Sequence, residues 1–196
     1  MTIHCLKGYF TASSLTVKQF KANKVIQIIK DVMTMNLSEY EEVKYLNYLQ
    51  YCDYLQNKYG IGICDYMTPN WSRKDRISRT KEGLFAHHKF ENQAPNLSNT
   101  DCAKRYPFEW QLQENIVYCN YLEHLFLHIL ICEDSVKSNS LNLGSRGIIS
   151  YIVPELDDFY NGVESEASWK KRCFQAVQGN YNTFIELLKR FSAIKN

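Results

Sequence analysis

Apolar positions recur at three- and four-residue spacing through the first sixty residues. In "SLTVKQFKANKVIQIIKDVM" a capping serine or threonine precedes Val17, Phe20, Val25, Ile28, Ile29 and Val32, which predicts an amphipathic helix. The next stretch, "LSEYEEVKYLNYLQYCDYLQNKYG", sets Ser38 and Glu41 in capping-box register and ends on Gly60, so the two segments predict a helical hairpin. From Ile61 to Lys81 the period disappears and the chain reads as a polar loop. "GLFAHHKFE" then predicts a short strand, "NQAPNLSNTDCAKRYPFEWQ" an irregular connection, and "ENIVYCN" the second strand of a hairpin. "LEHLFLHILI" is a core-type helical run, "RGIISYIVPELDDFYNG" a shorter element interrupted or started at Pro154, and "SWKKRCFQAVQGNYNTFIELLKRFSAIK" a long helix weakened by Gly179.

A chain of 196 residues with no sharp boundary reads as one domain, residues 1–196. The net charge of +2 is too small to imply a nucleic-acid partner by itself. Seven scattered cysteines without a CxxC argue against a disulfide framework and against a zinc ribbon. The N-terminus lacks the design of a signal peptide, and no apolar run approaches the roughly 18 residues of a membrane span. We therefore expect a cytoplasmic protein with no membrane partner.

The histidines change this picture. His124 and His128 lie four apart, so on a helix both rings share one face, a geometry that suits a metal ion. Two buried histidines satisfied by backbone carbonyls would produce the same spacing. His87 and His88 adjoin on the predicted strand, where neighbouring side chains point to opposite faces. One ring can then address a metal and the other something beyond it.

The order His87-His88, Asn115, His124, His128, in "LFAHHKFE" and "ENIVYCNYLEHLFLHILI", resembles the HNH endonucleases, the ββα-metal nucleases. The resemblance covers roughly Glu82 to Cys132, about a quarter of the chain. It departs from compact family members in the long stretch Lys89 to Glu114, and it lacks the cysteine pairs that brace some relatives. It implies that His87, His124 and His128 ligate one divalent cation, with His128 in some arrangements of the family contacting a phosphate instead. It implies further that His88 is the general base, and that Asn115 supports the loop that orients this base. The expected fold is α+β and mostly helical, with a ββα-metal core at 82–132 between an N-terminal helical part (1–60) and C-terminal helices (145–196).

Phosphodiester hydrolysis requires an activated water and charge neutralisation on the leaving side. A histidine of ordinary pKa near 6.5 serves the first at neutral pH. Imidazole ligands favour zinc, nickel, cobalt or manganese over calcium, and magnesium matches three nitrogens poorly. Glu91 and Glu123 flank the histidines as candidate acceptors that hold an imidazole tautomer. The run Arg73, Lys74, Arg76, Arg79 and Lys81 is a candidate phosphate grip or a solvated loop, and "YPFEWQ" packs in a core or stacks on bases. The expected partner is nucleic acid, double-stranded DNA first. A metal-stabilised binding module without cleavage, and an RNA-cleaving toxin with an inhibitor or immunity protein, stand as alternatives.

Overall fold

A computed structural model describes residues 34–138 and 143–194. The helix expected over 14–33 lies outside the described residues. The second half of the expected hairpin is two helices, α1 (Leu37–Val43) and α2 (Tyr48–Tyr59). Asn36, and not Ser38, caps α1 by accepting from the Glu39 amide at 3.0 Å. The capping box expected at Ser38 and Glu41 falls instead at Asn47 and Gln50, whose side chains each accept a backbone N–H of the other at 3.0 Å. Asn47 supplies this fresh start, and its side chain competes with helix continuation, which is why the chain breaks there without a glycine or proline. α2 buries Tyr48, Tyr51, Cys52, Leu55 and Tyr59 on one face and stops at Gly60, whose φ of +82° is the left-handed conformation that glycine adopts without strain.

β1 (Phe85–His88) pairs antiparallel with β2 (Ile116–Cys119), with Phe85 opposite Cys119 and His88 opposite Ile116. The connection between them carries a one-turn helix, α3 (Thr100–Ala103), and two tight turns at Phe108–Gln111 and Gln113–Asn115. Two strands alone are marginal in water. This pair is covered by α2 and by α4 (Tyr121–Lys137), which begins one residue after β2. α4 buries residues on nearly all sides, including Leu122, Leu125, Phe126, Leu127, Ile129 and Leu130, as a helix through the middle of a core must.

Beyond α4 the chain makes a short turn of helix, α5 (Ser145–Gly147), a wider π-helical turn at Ile148–Ile152, and α6 (Val153–Tyr160), which runs through Pro154 because proline is tolerated in a first turn. The expected long C-terminal helix is two, α7 (Ser168–Gln175) and α8 (Tyr181–Ser192), separated by a break that contains Gly179. Arg190 fastens α8 to α4 through Glu133, with contacts of 2.6 and 2.8 Å, and to the end of α1 through the Lys44 carbonyl. The described cysteines are free thiols, and no helix among the described residues is long and apolar enough to cross a membrane. The described residues thus form an α+β fold, mostly helical around one small antiparallel sheet.

Candidate metal centre

The pleat of β1 turns His87 toward α4, where His124 and His128 occupy one face a turn apart. Ring centroids are 5.3 Å for His87 and His124, 5.4 Å for His87 and His128, and 4.9 Å for His124 and His128. One nitrogen from each ring lies within 4.8 Å of the others. A tetrahedral site with bonds of about 2.0–2.1 Å spaces its nitrogens about 3.3 Å apart, so nitrogen shifts of up to about 1.5 Å close this one. The three histidines drawn from the sequence are therefore brought together.

Hydrogen-bond partners assign the tautomers. The Tyr48 hydroxyl donates to the His88 carbonyl at 3.2 Å and lies 2.9 Å from His87 Nε2. With that single proton on the His88 carbonyl, the hydroxyl accepts from His87 Nε2–H, a tautomer in which His87 Nδ1 carries a bare lone pair. The Gly144 carbonyl accepts from His128 Nδ1 at 3.3 Å, which leaves His128 Nε2 bare. His88 points elsewhere, with its ring against Tyr66 at 4.4 Å and its Nε2 3.0 Å from Gln111 Oε1. Gln111 is itself oriented by donating to the Leu97 carbonyl at 3.3 Å, so it accepts from His88 and leaves His88 Nδ1 bare. Both His87 Nδ1 and His88 Nδ1 are buried without a hydrogen-bond partner.

Glu91 faces these nitrogens. The turn closed by its amide on the His88 carbonyl, at 3.1 Å, returns its side chain beneath the doublet. Its Oε2 is 3.5 Å from His87 Nδ1 and 3.7 Å from His128 Nε2, and its Oε1 is 3.6 Å from His88 Nδ1. Burial opposes ionisation of this carboxyl, but the imidazoles around it outweigh burial and hold it well below the usual carboxylate range. Burial pushes His87 down to about 4 and His124 well below its ordinary value, and it lowers His128 against the pull of Glu91. At neutral pH the rings are uncharged, as metal ligands must be. Bare lone pairs and a carboxylate converging in one buried space repel one another unless a cation lies among them, so the donor set fits a divalent metal.

Asn115 sits at the end of its turn, immediately before β2. Its Nδ2 donates to the Glu109 carbonyl at 2.8 Å, and its own carbonyl accepts from the Lys89 amide at 2.9 Å. It thereby ties the turn carrying Gln111, the partner of His88, to the open end of the hairpin. Glu123 is turned away from the histidines. It bonds Lys58 at 2.8 Å, the Tyr59 hydroxyl at 2.9 Å and the Asn120 amide at 2.7 Å.

Of the basic run, Arg73, Arg76 and Lys81 are exposed. Lys74 pairs with Asp65 at 3.0 Å, and Arg79 is held by Glu82, by the Tyr59 carbonyl at 2.7 Å and over the Tyr118 ring at 4.6 Å. The aromatics of "YPFEWQ" pack against other rings, with Trp110 between Phe90 and Tyr106 at 4.7 and 5.1 Å and Phe108 edge-on to Trp71 at 5.3 Å. Tyr48, Gln111, Gly144 and Gly147 belong to the centre without having been singled out in the sequence. A Cβ on Gly147 would come 2.7 Å from His128 Cε1, so only glycine lets the chain cross that ring. The paired glycines in "LGSRG", close behind the histidine helix, were the available signal. Comparison with protein-family models, curated proteins and solved structures finds no match to this chain.

Proposed function

We propose that the chain is a metal-dependent endonuclease of the HNH type, hydrolysing phosphodiester bonds in double-stranded DNA. The observation that carries this reading is a pair of adjacent histidines equipped differently. His87 joins His124 and His128, while His88 presents a bare Nδ1 behind a fixed Nε2–H. The order of strand, strand and helix at Phe85–His88, Ile116–Cys119 and Tyr121–Lys137 supports the ββα-metal core expected over 82–132.

A divalent cation held by His87, His124 and His128 would neutralise phosphate charge and stabilise the departing 3′-oxyanion. His88 accepts a proton from the attacking water at Nδ1. Gln111 stabilises the resulting imidazolium through Nε2–H, as a fixed acceptor behind a catalytic ring does. Asn115 keeps the Gln111 turn in place and so has a supporting role. The exposed Arg73, Arg76 and Lys81 contact phosphates, whereas Lys74 and Arg79, already paired, brace the loop that presents them.

A second reading, a nucleic-acid-binding module with a purely structural metal, draws on the burial of His88, which is 0% exposed. Supercoiled plasmid separates the two. Nicked and linear products are expected when manganese, cobalt or nickel is returned to chelator-treated protein. Retention of metal and plasmid binding without cleavage overturns the nuclease reading in favour of the module.

A further inference from the structure

We propose that Glu91 is a fourth protein ligand of the cation held by His87, His124 and His128, making a site of three imidazoles and one carboxylate. The inference rests on the metal site of the nuclease reading and adds a donor to it. Carboxylates that merely orient a metal-bound histidine accept the N–H on the ring edge remote from the metal. Here those remote edges are already taken, by the Tyr48 hydroxyl behind His87 and by the Gly144 carbonyl behind His128. Glu91 instead faces the bare nitrogens, with Oε2 at 3.5 Å from His87 Nδ1 and 3.7 Å from His128 Nε2. In these tautomers no hydrogen lies in the gaps, and at 3.5 and 3.7 Å neither is a good hydrogen-bond length. A cation shared between oxygen and nitrogens accounts for the spacing.

Position supports the same assignment. Glu91 is only 15% exposed in its side chain and is fixed by the turn closed on the His88 carbonyl, so it is not a solvated carboxylate that drifts near the rings. Its second oxygen lies beside His88 Nδ1 at 3.6 Å. One carboxylate thus links the metal-directed histidine to its neighbour of separate function. The number of donors also bears on the metal. Four protein ligands close a tetrahedral ion, so an ion that accepts five or six donors, such as manganese, cobalt or nickel, is needed to keep a position open for a phosphate.

Cobalt titration tests the assignment, because visible absorption of Co2+ reports its ligand set independently of activity. The unmodified protein is expected to bind one Co2+. Glu91→Gln, nearly isosteric, is expected to bind it at least about tenfold more weakly and with an altered spectrum. Glu91→Asp, which keeps the carboxylate, should bind more tightly than Glu91→Ala. Unchanged affinity and spectrum in Glu91→Gln overturn the assignment, as does equal binding by the Asp and Ala variants if the Gln variant fails to fold. Plasmid cleavage by the unmodified protein distinguishes the two proposals. If Co2+ binds through Glu91 and no DNA is cut, the nuclease reading fails and the ligand assignment stands. If the unmodified protein cuts DNA and Glu91→Gln binds Co2+ normally, only the assignment fails.

Discussion

Two buried polar clusters share helix α4, and they are built to opposite ends. Glu123 is 0% exposed, yet its carboxylate receives Lys58, the Tyr59 hydroxyl and the Asn120 amide, and Lys58 also pairs with Glu39. That cluster is complete as protein alone. One residue further on, His124 joins His87 and His128 in a cluster where the outer nitrogens of His87 and His128 are satisfied and their inner nitrogens face a carboxylate. A buried group left without its partner costs about 1–3 kcal/mol, more if charged. The first cluster is closed by protein groups, and the second has the donors to hold a metal ion.

The sharpest way to break the comparison is to remove one ligand. His124→Ala is expected to lose bound metal and, with it, all metal-dependent cleavage. Melting temperature should then no longer respond to added cation, because binding to the folded state is what supplies that stabilisation. Metal analysis and melting curves with and without manganese check this, and an unchanged stoichiometry would end the case for the site. Next in size is His88→Ala, which leaves the ligands intact. Metal content should stay at the unmodified level while turnover falls by roughly two to four orders of magnitude. Loss of metal in this variant together with retention in His87→Ala would exchange the roles of the two neighbours.

The complete cluster responds differently. Lys58→Met should destabilise the fold, since it removes the cation shared by Glu123 and Glu39 and leaves Glu123, whose carboxyl burial already pushes up to about 7, to protonate instead. Denaturant unfolding measures this. Metal stoichiometry at a temperature where the variant stays folded should equal that of the unmodified protein, because the Glu123 carboxylate is engaged by Lys58, Tyr59 and Asn120 and not by the histidines. A metal loss that tracks the destabilisation would show the two clusters to be one unit.

Much of this contrast was legible in the chain, and its limits have physical reasons. The HxxxH spacing, the doublet, the short strands and the stop at Gly60 are local signals, written in adjacent residues, and all of them reappear as structure. Helix ends were harder. Asn36 and Ser38 are both good caps, and the choice between them depends on how the following turn packs. Gly179 marked a real weakness, but the helix had already ended at Gln175. Glu91 and Glu123 looked alike in sequence, each close to a histidine. They part only because one follows a turn that folds back under β1 and the other lies in the first turn of α4, with its carboxylate in a capping box. Tyr48 and Gln111, which set the tautomers, come from 39 and 23 residues away in the chain. Spacing rules do not reach that far.

The smallest expected effect concerns the basic loop, where the same contrast between committed and uncommitted groups applies. Arg73 and Arg76 are exposed, Arg73 lying over the Tyr66 ring at 5.3 Å, whereas Lys74 and Arg79 are paired with the carboxylates of Asp65 and Glu82. A cation already paired within the protein has little to offer a phosphate, while a solvated one releases counterions from DNA when it reaches the backbone. Replacing Arg73 and Arg76 by Ala should therefore weaken DNA binding for all sequences alike. The log-log salt dependence should become shallower by about 0.9 for each phosphate no longer neutralised. Arg79→Ala should leave that slope in place and lower the melting temperature instead, because it empties the stack on Tyr118 and releases the Tyr59 carbonyl. Fluorescence anisotropy over a salt series reads both slopes. If the Arg79 variant changes the slope and the Arg73 and Arg76 pair does not, phosphate binding lies with the braced cations and the exposed ones are solvated.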